Sequence, residues 1–174
     1  MAATNGGLHW YAQHYEVHFA PLRRRRLNIL EIGVGGFDDP EAGGASLRMW
    51  RTYFPRSQIF GIDIQDKRIH DEDRITTFKG SQADEEFLSD VVNRIGEIHI
   101  VIDDGSHRNE HVLRTFEFLF PRLHQQGIYV VEDTQTSYWS HMGGSSADLN
   151  LTSTTGRNNE GSNMLTAHAW NKPW

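Results

Sequence analysis

Short apolar runs alternate along the chain with stretches in which hydrophobic residues recur at helical spacing. The runs are rich in isoleucine, valine and leucine with little polar alternation, which is typical of parallel strands covered on both faces. Four of them carry a carboxylate at or near their end and span residues 27–33, 58–64, 98–104 and 127–133. A weaker run at 74–80 predicts a fifth strand nearer the edge of the sheet.

Helical stripes separate these runs. The first begins after two glycines at 43–44, and the second follows acidic residues at 84–86, which favour a helix N-terminus. A third stripe precedes the last run, and residues 9–19 indicate a further helix ahead of the first strand. This alternation predicts an α/β fold with a doubly wound, mainly parallel, Rossmann-like sheet.

The periodic pattern stops at about residue 140. The remaining residues show neither helical nor strand spacing, which indicates loop or tail. We therefore expect one domain over residues 1–150 and an irregular tail over 151–174, with no strand after the fifth.

Composition narrows the range of partners. The 174 residues carry a formal charge of −6 and no cysteine, which argues against a nucleic-acid partner and excludes disulfides and thiolate metal sites. No apolar run approaches the roughly 20 residues that span a bilayer, and the N-terminal residues lack the apolar centre of a signal peptide. We expect a cytoplasmic protein that binds neither nucleic acid nor membrane.

A glycine-rich loop follows the first predicted strand. Gly33, Gly35 and Gly36 would let the backbone approach a ligand where a Cβ atom would collide, although they could equally form only a tight turn. Asp63, near the end of the second strand, is suitably placed to accept hydrogen bonds from a ribose diol. Glu31 disfavours a pyrophosphate and suits an ammonium or sulfonium group. S-adenosylmethionine therefore matches the charge better than a dinucleotide, whose glycine spacing is not met.

Two acidic pairs end the fourth and fifth predicted strands. Asp103 and Asp104 form the first pair, and Glu132 and Asp133 form the second. Both strands should end close to the first, so the four carboxylates should converge near the donor pocket, to which we assign Asp103. Such carboxylates repel one another unless a cation offsets them. Oxygen ligands favour a hard divalent ion, Mg²⁺ first, with Ca²⁺ or Mn²⁺ as alternatives.

His107 stands three residues after Asp104, near the start of the next predicted helix. A histidine at the mouth of an acidic site can serve as general base, because its ordinary pKa is about 6.5. The alternative is a structural role, in which the ring bonds to a neighbouring carboxylate at the helix N-terminus.

Six segments carry a family resemblance: LEIGVGG, GGASLRMW, FGIDI, GSQAD, VIDDGSH and VVEDTQTSYW. Together they resemble the metal-dependent class I methyltransferases that O-methylate sugars of macrolide antibiotics, of the mycinamicin and macrocin type. The resemblance spans roughly residues 8–150. It implies the Rossmann-like fold of class I methyltransferases, with S-adenosylmethionine and Mg²⁺ as cofactors.

The resemblance also implies a role for each candidate residue. Mg²⁺ would be bound by three carboxylates: Asp104, Glu132 and Asp133. S-adenosylmethionine would be held by the first loop and second strand: Glu31, Gly33, Gly35, Gly36 and Asp63. Ser81 and Gln82 would lie near the adenine, and His107 would take the proton from the acceptor hydroxyl. Tyr138 and Trp139 would face the acceptor.

The implied activity is Mg²⁺-dependent transfer of a methyl group from S-adenosylmethionine to a hydroxyl of a sugar or glycosylated natural product. Two neighbouring sugar hydroxyls would chelate the ion, which lowers the pKa of the reacting one. Two alternatives stay open, a methyltransferase for another small vicinal diol and a catalytically silent S-adenosylmethionine-binding protein. An NAD-linked oxidoreductase ranks last.

The end of the chain departs from this resemblance. Members of this fold usually continue past the fifth strand into two more strands, one of them antiparallel, and the final residues do not show them. A sheet edge left uncovered there favours association. A homo-oligomer is therefore allowed, besides the small-molecule sugar or glycoside acceptor.

Overall fold

The computed structural model describes residues 11–144 and the backbone of residues 165–168. The described part contains four α-helices and six strands, some of them joined by short 3₁₀ turns. The helices are α1 (Tyr11–Phe19), α2 (Ala45–Tyr53), α3 (Glu85–Ile95) and α4 (Asn109–Leu119). The strands are β1 (Asn28–Ile32), β2 (Gln58–Asp63), β3 (Ile75–Lys79), β4 (Ile98–Asp103), β5 (Leu123–Val131) and β6 (Leu165–His168).

The six strands form one sheet in the order β3-β2-β1-β4-β5-β6. β1 to β5 are parallel, which confirms the predicted doubly wound α/β fold. The chain winds outward from β1 to β3 and then returns to place β4 on the other side of β1. In such sheets ligands bind at this switch point, beyond the carboxyl ends of the strands.

β6 corrects one expectation. The sequence predicted no strand after the fifth, yet Leu165–His168 pairs antiparallel with β5, from Val131 to Ile128. Four residues are too few to show a hydrophobic period. The strand is instead defined by its backbone hydrogen bonds to β5. The rest of the predicted tail, 151–164 and 169–174, lies outside the described residues. The domain boundary at residue 150 stays a prediction.

Helices cover both faces of the sheet. α1 and α2 pack on one face through buried aromatic and aliphatic side chains: Tyr15, Phe19, Leu47, Trp50 and Phe54. α3 and α4 pack on the other face with a second set: Leu88, Val91, Ile95 and Leu119. Burial of apolar area on both faces stabilises the sheet and explains why its strands show little polar alternation.

α3 shows how local sequence sets a helix end. The Asp84 side chain accepts hydrogen bonds from the amides of Glu86 and Phe87, which satisfies donors left free by the first turn. Gly96 follows the last residue with a φ of 78°, a left-handed value that glycine adopts at low cost. Among the described residues, no helix has both the length and the apolar character needed to cross a membrane.

Candidate active site

The acidic strand ends lie side by side at the carboxyl edge of the sheet. Ile32 of β1 pairs with Asp103 of β4, which in turn pairs with Val131 of β5. The ladder continues one residue further, because the Asp104 amide donates to the Ile32 carbonyl and the Glu132 amide donates to the Asp103 carbonyl, both at 2.9 Å. The loops after these three strands therefore begin next to one another.

The three loop glycines serve different purposes. Gly33, Gly35 and Gly36 all have left-handed φ values of 90°, 78° and 81°. A Cβ atom on Gly33 would lie 2.2 Å from the Asp104 carbonyl oxygen, and one on Gly36 would lie 2.3 Å from that of Ala42. A Cβ atom on Gly35 would meet nothing closer than 3.8 Å in the described structure. Chain packing thus requires two of the glycines, whereas the exposed Gly35 could carry a Cβ atom without a clash.

A buried lysine, which the sequence analysis did not identify, holds the glycine loop. Lys67 is 1% exposed. Its Nζ donates to the backbone carbonyls of Phe37, Asp39 and Ala42, at 3.4, 2.6 and 3.1 Å. Lysines are mostly exposed and are almost never fully buried without partners. Because a lysine in a polar stretch is therefore expected at the surface, the sequence gives no signal for this buried role.

Asp63 lies at the end of β2, where the sequence placed it, and it binds the backbone. Its Oδ2 accepts from the Val34 amide at 2.9 Å and its Oδ1 from the Gln65 amide at 2.8 Å. The carboxylate therefore fixes the start of the glycine loop, and its contact with a ribose stays a prediction. Ser81 follows β3, and its Oγ accepts from the Ala83 amide at 3.2 Å; its position near adenine also stays a prediction.

Gln82 and Asp103 support the turn between β4 and α4. Gln82 Nε2 donates to Asp103 Oδ1 at 3.1 Å and to Thr115 Oγ1 at 3.2 Å, and its Oε1 accepts from the Ser106 amide at 2.8 Å. The Tyr129 hydroxyl donates to Asp103 Oδ2 at 3.3 Å. Burial raises the pKa of Asp103 to about 6. Both predicted donor-pocket side chains thus make structural hydrogen bonds, and their contact with the donor stays a prediction.

Glu31 is a buried carboxyl group with an unsatisfied oxygen. Its side chain is 3% exposed, and Oε2 has no hydrogen-bond partner among the described residues. Burial raises the pKa of Glu31 to about 8. A cationic group of a ligand would satisfy this oxygen and favour the ionised form. This fits the ammonium and sulfonium groups of S-adenosylmethionine.

A second set of residues fits a divalent metal ion. One donor atom each from Asp104, His107 and Asp133 lies within 4.8 Å of the others. His107 Nε2 is 3.8 Å from Asp104 Oδ1 and 4.0 Å from Asp133 Oδ2. Partial burial and then the charge of Glu132 raise the pKa of Asp104, and burial also raises the pKa of Glu132. A hard cation would relieve this repulsion. Glu132 was predicted as a ligand and lies beside this group; the ligand set stays a prediction.

His107 is suited to accept a proton. Burial lowers the pKa of its ring, against the opposing effect of Asp133, which favours the neutral form that can accept a proton. His107 and Asp133 both have left-handed φ values, of 54° and 50°. Non-glycine residues in this conformation cost about 1–3 kcal/mol each and concentrate at functional sites. Of the four described non-glycine residues with positive φ, these two face each other across the site; the others are Phe37 and Arg74.

Two tyrosines of α1, absent from the predicted site residues, bind the second acidic pair. The Tyr15 hydroxyl donates to Glu132 Oε1, and the Tyr11 hydroxyl donates to Asp133 Oδ1 at 2.6 Å. Residues four apart lie on the same face of a helix, so this spacing was the available signal. The same spacing also fits a core-facing stripe, and the sequence could not distinguish the two.

A different cluster, Glu97, His99 and His124, also brings potential metal ligands together. It lies near the amino ends of β4 and β5, away from the acidic strand ends. The Nδ1 atoms of His99 and His124 accept from the amides of Asn28 and Gln126 at 3.1 and 3.0 Å. A neutral imidazole that accepts through Nδ1 has its proton on Nε2 and offers no lone pair there to a metal. The cluster is better explained as a stacked histidine pair.

Relatives of known activity share this site-bearing segment. The chain is 53% identical over 147 residues to 8-demethyl-8-alpha-L-rhamnosyl tetracenomycin-C 2'-O-methyltransferase of Streptomyces olivaceus. It is 52% identical over 139 residues to mycinamicin VI 2''-O-methyltransferase of Micromonospora griseorubida. The chain is a homologue of these sugar O-methyltransferases. No protein-family model matches it.

A solved structure supports the same relationship. The MycE methyltransferase from the mycinamycin biosynthetic pathway, in complex with Mg and SAH, superimposes with a TM-score of 0.79 at 52% identity. The match covers 81% of this chain and 36% of MycE, and the two relatives above are covered to 39% and 35% of their lengths. The methyltransferase resemblance and the Rossmann-like fold are confirmed, for a chain that spans little more than a third of these relatives.

Proposed function

We propose that the chain catalyses Mg²⁺-dependent transfer of a methyl group from S-adenosylmethionine to a hydroxyl of a sugar or glycosylated natural product. The observation that carries this proposal is the position of His107 between the carboxylates of Asp104 and Asp133, at the switch point of the sheet. The relatives support it, because their names specify O-methylation of glycosylated compounds and MycE binds Mg and SAH.

The donor would bind at the carboxyl end of β1. Glu31 would face its cationic groups, because the buried Oε2 lacks a partner in the described structure. The loop backbone at Gly35 would contact the ligand. Lys67 and Asp63 would keep the loop in place through the hydrogen bonds described above. Much of the catalytic effect would be positioning, since the sulfonium is already activated.

Asp104, Glu132 and Asp133 would hold the Mg²⁺. When bound, the ion lowers the pKa of a hydroxyl that it coordinates. His107 Nε2 would accept the proton of the acceptor hydroxyl, whose oxygen forms a bond to the methyl carbon while the carbon–sulfur bond breaks. The electron pair of that bond stays on sulfur, which becomes a neutral thioether, and the proton remains on His107.

A cleft of about 420 Å³ beside His107 would receive the acceptor. Much of its wall is apolar and comes from α4 and β5: Val112, Leu113, Phe116 and Val131. Tyr138 and Trp139, which are 52% and 46% exposed, follow β5. Apolar walls next to a proton acceptor favour a glycoside with an apolar aglycone over a free sugar.

Methyl transfer to a panel of glycosides, with Mg²⁺ and with EDTA, tests the proposal. We expect turnover that EDTA removes. His107→Ala and Asp104→Asn should abolish turnover and leave SAH binding, measured by calorimetry, largely intact. Glu117→Gln, an exposed change on α4, is the control and should behave as wild type. Wild-type turnover in His107→Ala or Asp104→Asn would contradict the assigned roles.

Small vicinal diols added to the panel separate the alternatives. A methyltransferase for another vicinal diol would turn over a small diol and reject every glycoside, whereas a silent protein would bind SAH and methylate neither. The predicted homo-oligomer and cytoplasmic location stay predictions.

A further inference from the structure

Two tyrosines of α1 contact the acidic pair that follows β5. We infer that Tyr11 and Tyr15 are positioning residues, which orient Glu132 and Asp133 so that a divalent cation can bind. The inference rests on the proposed function, because it assigns these phenols to the metal site proposed there. Both hydrogen bonds join α1 to residues more than 110 positions away in the chain.

The Tyr15 ring is held independently of its hydroxyl. The residue is 8% exposed, and its ring makes an edge contact with Trp50 at a centroid distance of 4.9 Å and a tilted contact with Phe19 at 5.0 Å. Neither contact involves the oxygen. The ring therefore presents the hydroxyl to Glu132 from a fixed position, and replacing tyrosine by phenylalanine would remove the donor while keeping the packing.

Tyr11 fixes both the side chain and the backbone of Asp133. Its hydroxyl donates to Oδ1 at 2.6 Å and lies 3.4 Å from the Asp133 amide, which donates to it. Asp133 has the left-handed φ of 50° noted above. Because Tyr11 binds Oδ1, the carboxylate is turned so that Oδ2 faces His107 at 4.0 Å.

Each tyrosine hydroxyl therefore binds one oxygen of a carboxylate and so fixes the orientation of the whole carboxylate. Partners of this kind restrict the rotation of a ligand carboxylate before the ion arrives, and losing one commonly costs 10–100-fold in metal affinity. Both phenols can donate at neutral pH, because the ordinary pKa of a tyrosine hydroxyl is about 10.

Mn²⁺ binding, followed by the electron paramagnetic resonance signal of the free ion, tests this without requiring turnover. We expect Tyr15→Phe and Tyr11→Phe each to weaken Mn²⁺ binding by about 10–100-fold. Tyr53→Phe is the matched control, because it removes an exposed tyrosine–carboxylate bond of 2.7 Å to Glu16 and should leave affinity unchanged. Asp104→Asn should weaken Mn²⁺ binding at least as much as either phenylalanine variant, because it removes a proposed ligand.

The outcomes separate the inference from the function on which it rests. Wild-type protein that binds no Mn²⁺ would overturn both. Tight binding by the wild type and equal or tighter binding by Tyr15→Phe would overturn the inference alone, because the phenol would then be inert or a competitor of the ion. In a Glu132→Gln background, Tyr15→Phe should have no further effect on Mn²⁺ affinity. An additional loss there would indicate a merely structural role.

Discussion

Glu31→Gln should remove one pH-dependent contribution to the stability of the protein and weaken donor binding. The wild-type carboxyl is buried, and burial raises its pKa from an ordinary 4.5 to about 8. An acid whose pKa is raised on folding contributes stability that is fully present below its unfolded pKa and is lost as pH rises through its folded pKa. Glutamine has the same shape and does not titrate. The free energy of unfolding of the variant should therefore not show this decrease as pH rises.

The size of the effect follows from the pH range. Between pH 5 and pH 8 the unfolded carboxylate is ionised while the folded group still holds its proton over most of the range. Each pH unit in this interval costs about 1.4 kcal/mol, so wild type should lose about 4 kcal/mol relative to the variant. Any fixed cost of burying the amide is the same at every pH and does not change this slope.

Urea unfolding followed by tryptophan fluorescence, at four pH values between 5 and 8 in EDTA, measures the difference. Titrating groups that do not interact with Glu31 occur in both proteins and cancel in the subtraction. Asp104, whose pKa is raised in part by the charge of Glu31, should change in the same direction. Glu117→Gln, on the exposed face of α4, should run parallel to wild type. Calorimetry at pH 8 should show weaker SAH binding by Glu31→Gln, because the carboxylate that faces the ligand's ammonium is gone.

Two results would refute this reasoning. Parallel stability curves for Glu31→Gln and wild type would mean that the folded carboxyl titrates normally, so Oε2 has a partner that the structure does not show. Unchanged SAH affinity in the variant would mean that the buried carboxyl does not face the donor at all.

Two further predictions concern the glycine loop and use urea unfolding as the readout. Gly33→Ala should destabilise the protein by more than about 3 kcal/mol, because its Cβ atom would overlap the Asp104 carbonyl, whereas Gly35→Ala should cost about 1 kcal/mol for its left-handed φ and mainly weaken SAH binding. Equal losses would contradict the different roles of the two glycines. Lys67→Met should cost about 3 kcal/mol by leaving three loop carbonyls without their buried donor, while exposed Lys79→Met should cost little. A stable Lys67→Met protein with intact SAH binding would contradict the loop-holding role.

The sheet and the convergence of carboxylates could be predicted because both depend on local patterns. Buried parallel strands leave continuous apolar runs, and parallel strands end on the same side of the sheet. A charge at the end of one run therefore lies near a charge at the end of its neighbour. This places Asp104 beside Glu132 and Asp133 without knowledge of any side-chain conformation.

Residues that act through distant partners could not be found in this way. The sequence gives no reason to join Tyr15 to Glu132, since a tyrosine stripe on a helix ordinarily packs in a core, and this ring does so as well. Gln82 was placed near the adenine from its motif, and its hydrogen bonds to Asp103 and Thr115 depend on the packing of α4. The strand β6 is set by its pairing with β5, and four residues carry no period of their own.

The span of the α1 hydrogen bonds has a consequence for how the protein acquires its site. They close loops of 117 and 122 residues, and contacts of such separation carry the entropy cost that slows folding. The acidic pair can reach its final arrangement only in chains whose first helix has docked onto an assembled sheet. A polypeptide beginning at β1 would keep His107 and all the carboxylates of the site. It would lack both tyrosine hydroxyls that hold two of those carboxylates in place.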